Sequence, residues 1–253
     1  MNKDIKKFWN DVADDWEIQV GEHGDANRRL NSDPVLWQFA GKVNGLEILD
    51  VGCGTGYLSR KLKQKGAIVT GIDLSENMIY IARSKSSDIE YIVDSCSELN
   101  SLVDETFDMI IANYVLMDTP ELETTLVSFN RVLKRNGVVI VIFSHPCFPQ
   151  GQSFCVTEDN EIKYIWKNSY FERKKCIDPP WGHFKSDFIW FHRPLSDYWK
   201  AFKSSSFKVV EFEEPKVTPE NYHLVDSKQK LKKNQMHPYS VAFKLEKISN
   251  LSE

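Results

Sequence analysis

The sequence lacks a long hydrophobic run. Its longest apolar stretch, VVIVIF at 138–143, is far shorter than the ~20 residues that cross a bilayer, and the opening MNKDIKKFWNDVADDW interrupts its aromatics with charge, unlike a secretory leader. A cytoplasmic protein with no membrane segment is expected. Cysteine is sparse and irregular: Cys53, Cys96, Cys147, Cys155 and Cys176 are odd in number and form no CxxC pair, which argues against a disulfide framework or a structural zinc site. No spacing of His, Asp and Glu resembles a divalent-metal site, so a metal-independent reaction is expected. Excess charge is missing too, since a formal net charge of -4 gives no field for attracting nucleic acid or an anionic surface. There is no repeat or low-complexity segment, and 253 residues suffice for one large α/β domain.

What the sequence does contain, from Leu46 onward, is alternation. The β-branched runs LEILDV, AIVTGID, IEYIV, FDMIIANYV and GVVIVIF are separated by segments of helical period, the pattern of βαβ units with a mainly parallel sheet covered on both faces. After FDMIIANYV a helix is expected with Thr119 as N-cap, Pro120 at its first position, Lys134 and Arg135 in its last turn, and Leu122, Leu126, Phe129 and Leu133 on its buried face. Before the sheet, Phe8, Val12 and Trp16 recur every four residues and predict an amphipathic helix that packs on the main domain or lids it.

After the fifth strand the alternation fails. From Phe154 to Phe202 lie 13 of the 31 Phe, Trp and Tyr residues (Phe 15, Trp 7, Tyr 9), in an irregular stretch of the kind that forms functional loops. Within it SFCVTEDNEIKYIW reads as a small hairpin around Asp159-Asn160. PLSDYWKAF then predicts a helix, and FKVVEFEEP and PYSVAFKLEKI predict strands; the link between them carries the basic run SKQKLKK, read as a solvated loop.

The most informative stretch is ILDVGCGTGYLSRKL. A strand ending in Asp50, then Gly52, Gly54 and Gly56, then a helix, brings backbone close to a ligand at a helix N-terminus. A dinucleotide fingerprint needs its third glycine at position 57, which is Tyr57, and a P-loop needs a Lys followed by Ser or Thr, which GTGYL lacks. A ligand with a ribose and no pyrophosphate remains. Asp73, ending the second strand, is placed to accept from both ribose hydroxyls, with Ser75 the better N-cap of the following helix. Asp94 and Ser95, ending the third strand, are placed for an adenine amino group and a ring nitrogen.

Together ILDVGCGTGYLSRKL, VTGIDLSENMI, IVDSCSEL and FDMIIANYVL, in this order over about residues 46–145, resemble the successive motifs of class I S-adenosylmethionine-dependent methyltransferases. HPCF after the fifth strand and FHRPLSDYWKAF before the penultimate one extend the resemblance to the small-molecule, type 11 branch. The resemblance implies an α/β fold with a Rossmann-like, seven-stranded, mostly parallel sheet, helices on both faces and an antiparallel final strand. It implies S-adenosylmethionine as cofactor, with Asp50, Gly52, Gly54 and Gly56 at its methionine end, Asp73 at the ribose, Asp94 and Ser95 at the adenine, and Leu74 and Met78 along the adenosine. Asn113 and Tyr114 would lie beside the reactive methyl group, although an Asn in such a loop is by default a turn residue. Residues 1–253 would form one domain: a helical lid over about 1–44, a cofactor core over about 46–144, an acceptor-side insertion over about 145–194, and completion of the sheet over about 195–248.

For the acceptor, methyltransferases of nucleic-acid amines carry an Asn/Asp/Ser-Pro-Pro-aromatic motif after the fourth strand, where this chain has NYVL. A small molecule methylated on O, N or S is expected, with no nucleic acid or membrane partner, on a monomer or homodimer. His145, His183 and His192 of the cover segment are candidates to remove an acceptor proton, and each also reads as a structural histidine. His192-Arg193-Pro194 reads equally as a helix start in which Arg193 pairs with a carboxylate. In the N-terminal segment Trp16, His23, Arg28 and Arg29 are candidates to close over the cofactor and its carboxylate, the alternative being two exposed arginines on a lid. An NAD-dependent oxidoreductase and a non-catalytic S-adenosylmethionine-binding protein are the competing readings.

Overall fold

Ile48 and Leu49 are both fully buried although neighbours in a strand face opposite sides of a sheet, so strand β1 (Glu47–Val51) is covered on both faces. In the computed structural model, which describes residues 2–148, 154–157, 161–166, 169–225 and 227–248, β1 lies inside a seven-stranded sheet. On one side stand β2 (Ile68–Asp73) and β3 (Glu90–Val93); on the other stand β4 (Phe107–Asn113), β5 (Leu133–Ser144), β11 (Ser240–Lys247) and β10 (Phe207–Glu213). The order is β10-β11-β5-β4-β1-β2-β3, and β11 alone runs antiparallel to its neighbours β5 and β10, as the resemblance implies. The chain moves outward from β1 to β3 and then returns to β1's other side as β4. This reversal opens a crevice at the carboxyl ends of β1 and β4, the place where open α/β sheets bind ligands.

One face of the sheet packs against α3 (Asp33–Ala40), α4 (Tyr57–Gln64) and α5 (Glu76–Lys85), through Leu36, Leu62 and Ile79. The other packs against α6 (Leu122–Val132) and α7 (Leu195–Ser204), where Phe129, Phe202 and Tyr198 meet Phe143 and Phe243. The N-terminal amphipathic run forms two helices, α1 (Asn2–Asp11) and α2 (Ala13–Val20), rather than one. Val12 between them still accepts from Trp16 N and donates to Phe8 O, so the apolar stripe of Phe8 and Val12 continues across the break and packs on Met78 and Phe184.

Three boundaries differ from the sequence expectation. Helix α6 starts at Leu122, not beside Thr119, and stops at Val132, because Leu133 pairs with Phe107 of β4; Lys134 therefore opens β5, where its ammonium meets Asp108 Oδ1 at 2.9 Å instead of helix carbonyls. The run SKQKLKK is not a loop but the start of helix α8 (Lys228–Met236), capped by Ser227 Oγ, which accepts from Lys230 N. The insertion holds two antiparallel pairs. Strands β6 (Phe154–Val156) and β7 (Ile162–Tyr164) form the expected hairpin, whose Asp159-Asn160 turn lies outside the described residues, and β8 (Lys174–Asp178) pairs with β9 (Phe188–His192).

Candidate functional site

A cavity of about 780 Å³ opens over the carboxyl ends of β1, β2, β3 and β4. Its floor is the glycine bend. Gly52 sits at φ +62, and a Cβ there would lie 2.5 Å from Val115 Cγ2, so only glycine lets the loop after β4 settle on the bend. Gly54 also lines the cavity, whereas Gly56 does not: at φ +82 it turns the chain into α4, and its missing Cβ makes room for the Tyr91 hydroxyl.

Three carboxyls mark successive strand ends along this floor. Asp50 is buried, accepts from Ser59 Oγ at 2.5 Å, and is pushed up to about 7, chiefly by burial. Asp73 accepts from Gly54 N at 3.0 Å through Oδ2 and from Ser75 N at 2.9 Å through Oδ1; burial raises it to about 6 despite these bonds. Ser75 is the N-cap of α5, accepting from Met78 N at 3.1 Å, as expected. Asp94 accepts from Ser95 N at 2.7 Å and from Ser101 N at 2.9 Å, and its own amide donates to Asp73 O, which ties the second and third strand ends together. Leu74, Met78 and Ser95 complete this side of the cavity.

At the end of β4, Asn113 donates through Nδ2 to Ser32 Oγ at 3.3 Å while its buried Oδ1 has no hydrogen-bond partner among the described residues. Tyr114 adopts φ +60, which swings its hydroxyl to Ser240 Oγ at 2.5 Å and Asn27 Oδ1 at 3.3 Å. Above the bend, Trp16 Nε1 comes within 3.4 Å of the position a Gly54 Cβ would take, flanked by the rings of Trp9 at 5.3 Å and Phe184 at 6.0 Å. The Arg28 guanidinium lies 5.1 Å from the Trp16 ring centroid and pairs with Asp25 at 3.0 Å. Of the N-terminal candidates Trp16 and Arg28 reach the cavity, while Arg29 and His23 are exposed.

The far wall comes from β8 and β9, with Trp181 from the segment between them: Trp181, Phe188, Trp190 and Phe191 face the cavity, and Trp190 Nε1 donates to Asp178 Oδ2 at 2.9 Å. This wall is joined to the β4 loop by Phe191 N, which donates to Met117 O at 2.7 Å. Arg193 does not pair through hydrogen bonds with a carboxylate, as the sequence suggested; its guanidinium donates to the carbonyls of Leu116 at 3.2 Å and Thr119 at 2.5 Å. The three histidines separate. His145 is buried with both ring nitrogens engaged, Nδ1 accepting from Cys147 N and Nε2 facing Glu214 Oε1 at 2.8 Å. His183 meets the Asp15 carbonyl and does not line the cavity. His192 does line it, and its Nε2 donates to Tyr170 O at 2.8 Å, which leaves Nδ1 as an acceptor.

Two further wall residues escape motif and spacing. Asp118 follows β4, where the strand-end rule points but no pattern marks an aspartate. Lys233 of α8 is buried at the cavity and pushed down to about 8 by that burial; only the basic run signals it.

Residues 49–141 match the family model described as a methyltransferase domain. The ubiquinone biosynthesis O-methyltransferase of Photobacterium profundum is 30% identical to this chain over 184 residues, covering 70% of this chain and 76% of that protein. An S-adenosylmethionine-dependent methyltransferase of Mesorhizobium loti, known from a crystal structure, has the same fold with a TM-score of 0.73 at 21% identity, over 90% of this chain and 100% of that one. So does the magnesium protoporphyrin IX methyltransferase of Synechocystis PCC 6803, crystallised with S-adenosylmethionine, with a TM-score of 0.61 at 16% identity over 97% and 96% of the two chains. The chain spans about half the length of several other curated relatives it matches. It belongs to the class I S-adenosylmethionine-dependent methyltransferases, whose cofactor is S-adenosylmethionine. The cavity fits that cofactor: it offers carboxylate oxygens at two strand ends for hydroxyl and amino donors, and two buried acceptors with no partner among the described residues, Asn113 Oδ1 and Thr55 Oγ1.

Proposed function

We propose that the chain transfers the methyl group of S-adenosylmethionine to a small, flat acceptor held between the glycine bend and the β8–β9 wall. The observation that carries this reading is that one cavity joins the strand-end carboxyls Asp50, Asp73 and Asp94 to a wall of four aromatic rings. The cofactor supplies an electrophilic methyl on a sulfonium whose departure leaves neutral sulfur, so the chain's task is to align a nucleophile in line with that bond and exclude water. In this reading Asp73 receives the ribose hydroxyls, Asp94 and Ser95 the adenine edge, and Asn113 Oδ1 the ammonium of the methionine end. Trp16 roofs the site. The aromatic wall supports a planar acceptor, since ring faces bury apolar rings and attract cations. The name of the Photobacterium relative supports oxygen as the methylated atom. His192, which lines the cavity and has only Nε2 engaged by Tyr170 O, is the histidine best placed to hydrogen-bond the acceptor; His145, doubly engaged, and His183, outside the cavity, have the weaker claims.

The test is ligand-dependent melting followed by a labelled-methyl screen. S-adenosylhomocysteine is expected to raise Tm and NAD to leave it unchanged. Stabilisation by NAD alone would favour the oxidoreductase, and homocysteine-nucleoside binding without methylation of any acceptor would favour a non-catalytic protein.

A further inference from the structure

We infer that Asp118 takes the proton from the acceptor's nucleophile, which makes the acceptor a hydroxyl or amine compound; this rests on the methyl-transfer reading above. Asp118 stands at the seam between the cofactor floor and the acceptor wall. Its amide donates to Val115 O at 2.8 Å, closing a turn whose Val115 side chain rests on Gly52. The preceding carbonyl, Met117 O, receives Phe191 N of β9. Arg193 fastens the turn from behind, donating to carbonyls on both sides of Asp118, those of Leu116 and Thr119.

The carboxyl so held lines the cavity and makes no hydrogen bond to any described residue. An unsatisfied carboxyl beside apolar walls is costly until a donor arrives, and the indole of Trp190 in the adjacent wall is already engaged by Asp178. Charged and titratable neighbours bear on it from three elements: Arg193 after β9, Asp73 of β2 and Tyr198 of α7. Burial outweighs Arg193 and holds Asp118 well above the usual carboxylate range.

The position selects the acceptor. A carboxylate nucleophile has no proton to give, and a thiol ionises near neutrality unaided, whereas a hydroxyl needs a base as it attacks and an amine must give up a proton once its nitrogen has bonded to the methyl. The acceptor's O or N lone pair forms the bond to the methyl carbon, the carbon–sulfur bond breaks with its electrons left on sulfur, and the acceptor proton passes to the Asp118 carboxylate and on to water.

The full chain is offered four one-ring probes with methyl-labelled S-adenosylmethionine: catechol, 1,2-phenylenediamine, benzenethiol and benzoate. Label is expected in catechol or the diamine, with a rate that rises with pH. Asp118→Asn is expected to lower kcat about 100-fold or more and to flatten that pH profile, with S-adenosylhomocysteine affinity within about twofold of the unaltered chain. Label confined to benzenethiol or benzoate, label in no probe, or Asp118→Asn retaining rate and profile overturns the inference. So does loss of S-adenosylhomocysteine affinity in a folded Asp118→Asn, which makes Asp118 a strut. If that variant does not fold, the four probes and the pH profile of the unaltered chain decide alone. Failure of the unaltered chain to bind S-adenosylhomocysteine overturns the methyl-transfer reading instead.

Discussion

The amide of Gly54 donates to Asp73 Oδ2 across 3.0 Å, so the bend after β1 and the end of β2 act as one piece. Asp73 thereby both shapes the floor and offers its remaining lone pairs upward. Asp73→Ala removes both roles. At about 1.5–3 kcal/mol for each hydrogen bond to a charged group, S-adenosylhomocysteine affinity should fall about 100-fold or more by calorimetry. An unchanged affinity contradicts the ribose assignment.

Gly52→Ala meets two obstacles, a backbone at φ +62 and a contact of 2.5 Å with Val115 Cγ2. Each costs about 1–3 kcal/mol, so denaturant unfolding should show a loss in that range or above. Adding Val115→Ala relieves the contact but not the backbone strain. The double-mutant cycle should therefore show a favourable coupling and an incomplete recovery, and additive losses would mean that the two residues do not touch.

Asp50 gives a pH dependence with an unusual sign. Its carboxyl titrates at about 7 in the folded chain against an ordinary value of 3.8, so between these the folded state binds the extra proton and stability falls as pH rises. Asp73, at about 6, acts in the same direction. Asp50→Asn deletes only the first contribution. Its Tm relative to the unaltered chain should climb by roughly 5 °C between pH 5 and pH 8, and a gap that stays constant refutes the buried, protonated Asp50.

Trp16 lines the cavity beside Gly54 while leaning on Trp9 and Phe184. Aromatic contacts of this kind are worth about 0.5–1.5 kcal/mol each, so Trp16→Ala should weaken S-adenosylhomocysteine about tenfold. The measurement is a tryptophan fluorescence titration. Equal affinity in the two proteins would leave Trp16 as packing alone.

The core strands are legible in the sequence because runs such as FDMIIANYV are too continuously apolar to be half-exposed, and Asp73 and Asp94 are legible because they end such runs. The boundary after α6 is hidden because Leu133 satisfies both the helical stripe and the strand that replaces it. Strand β8 reads KKCID and exposes four of its five residues, so no alternation betrays it; it exists through its pairing with β9. Helix α8 buries only Lys233 and so shows no apolar stripe. Asp118 is hidden for another reason: what distinguishes it is the joining of the β4 loop to β9 by Phe191 and Met117, residues far apart in the chain.

Strand β11 carries a consequence for how the chain is made. It lies between β5 and β10, and among the described residues β10 has no other neighbour in the sheet. Until residues 240–247 have left the ribosome, β5 presents an open ladder edge and β10 has nothing to pair with. The nascent protein therefore carries its cofactor floor, β1 to β4, well before its sheet can close, a period in which it is exposed to wrong partners and in which a chaperone would be of most use.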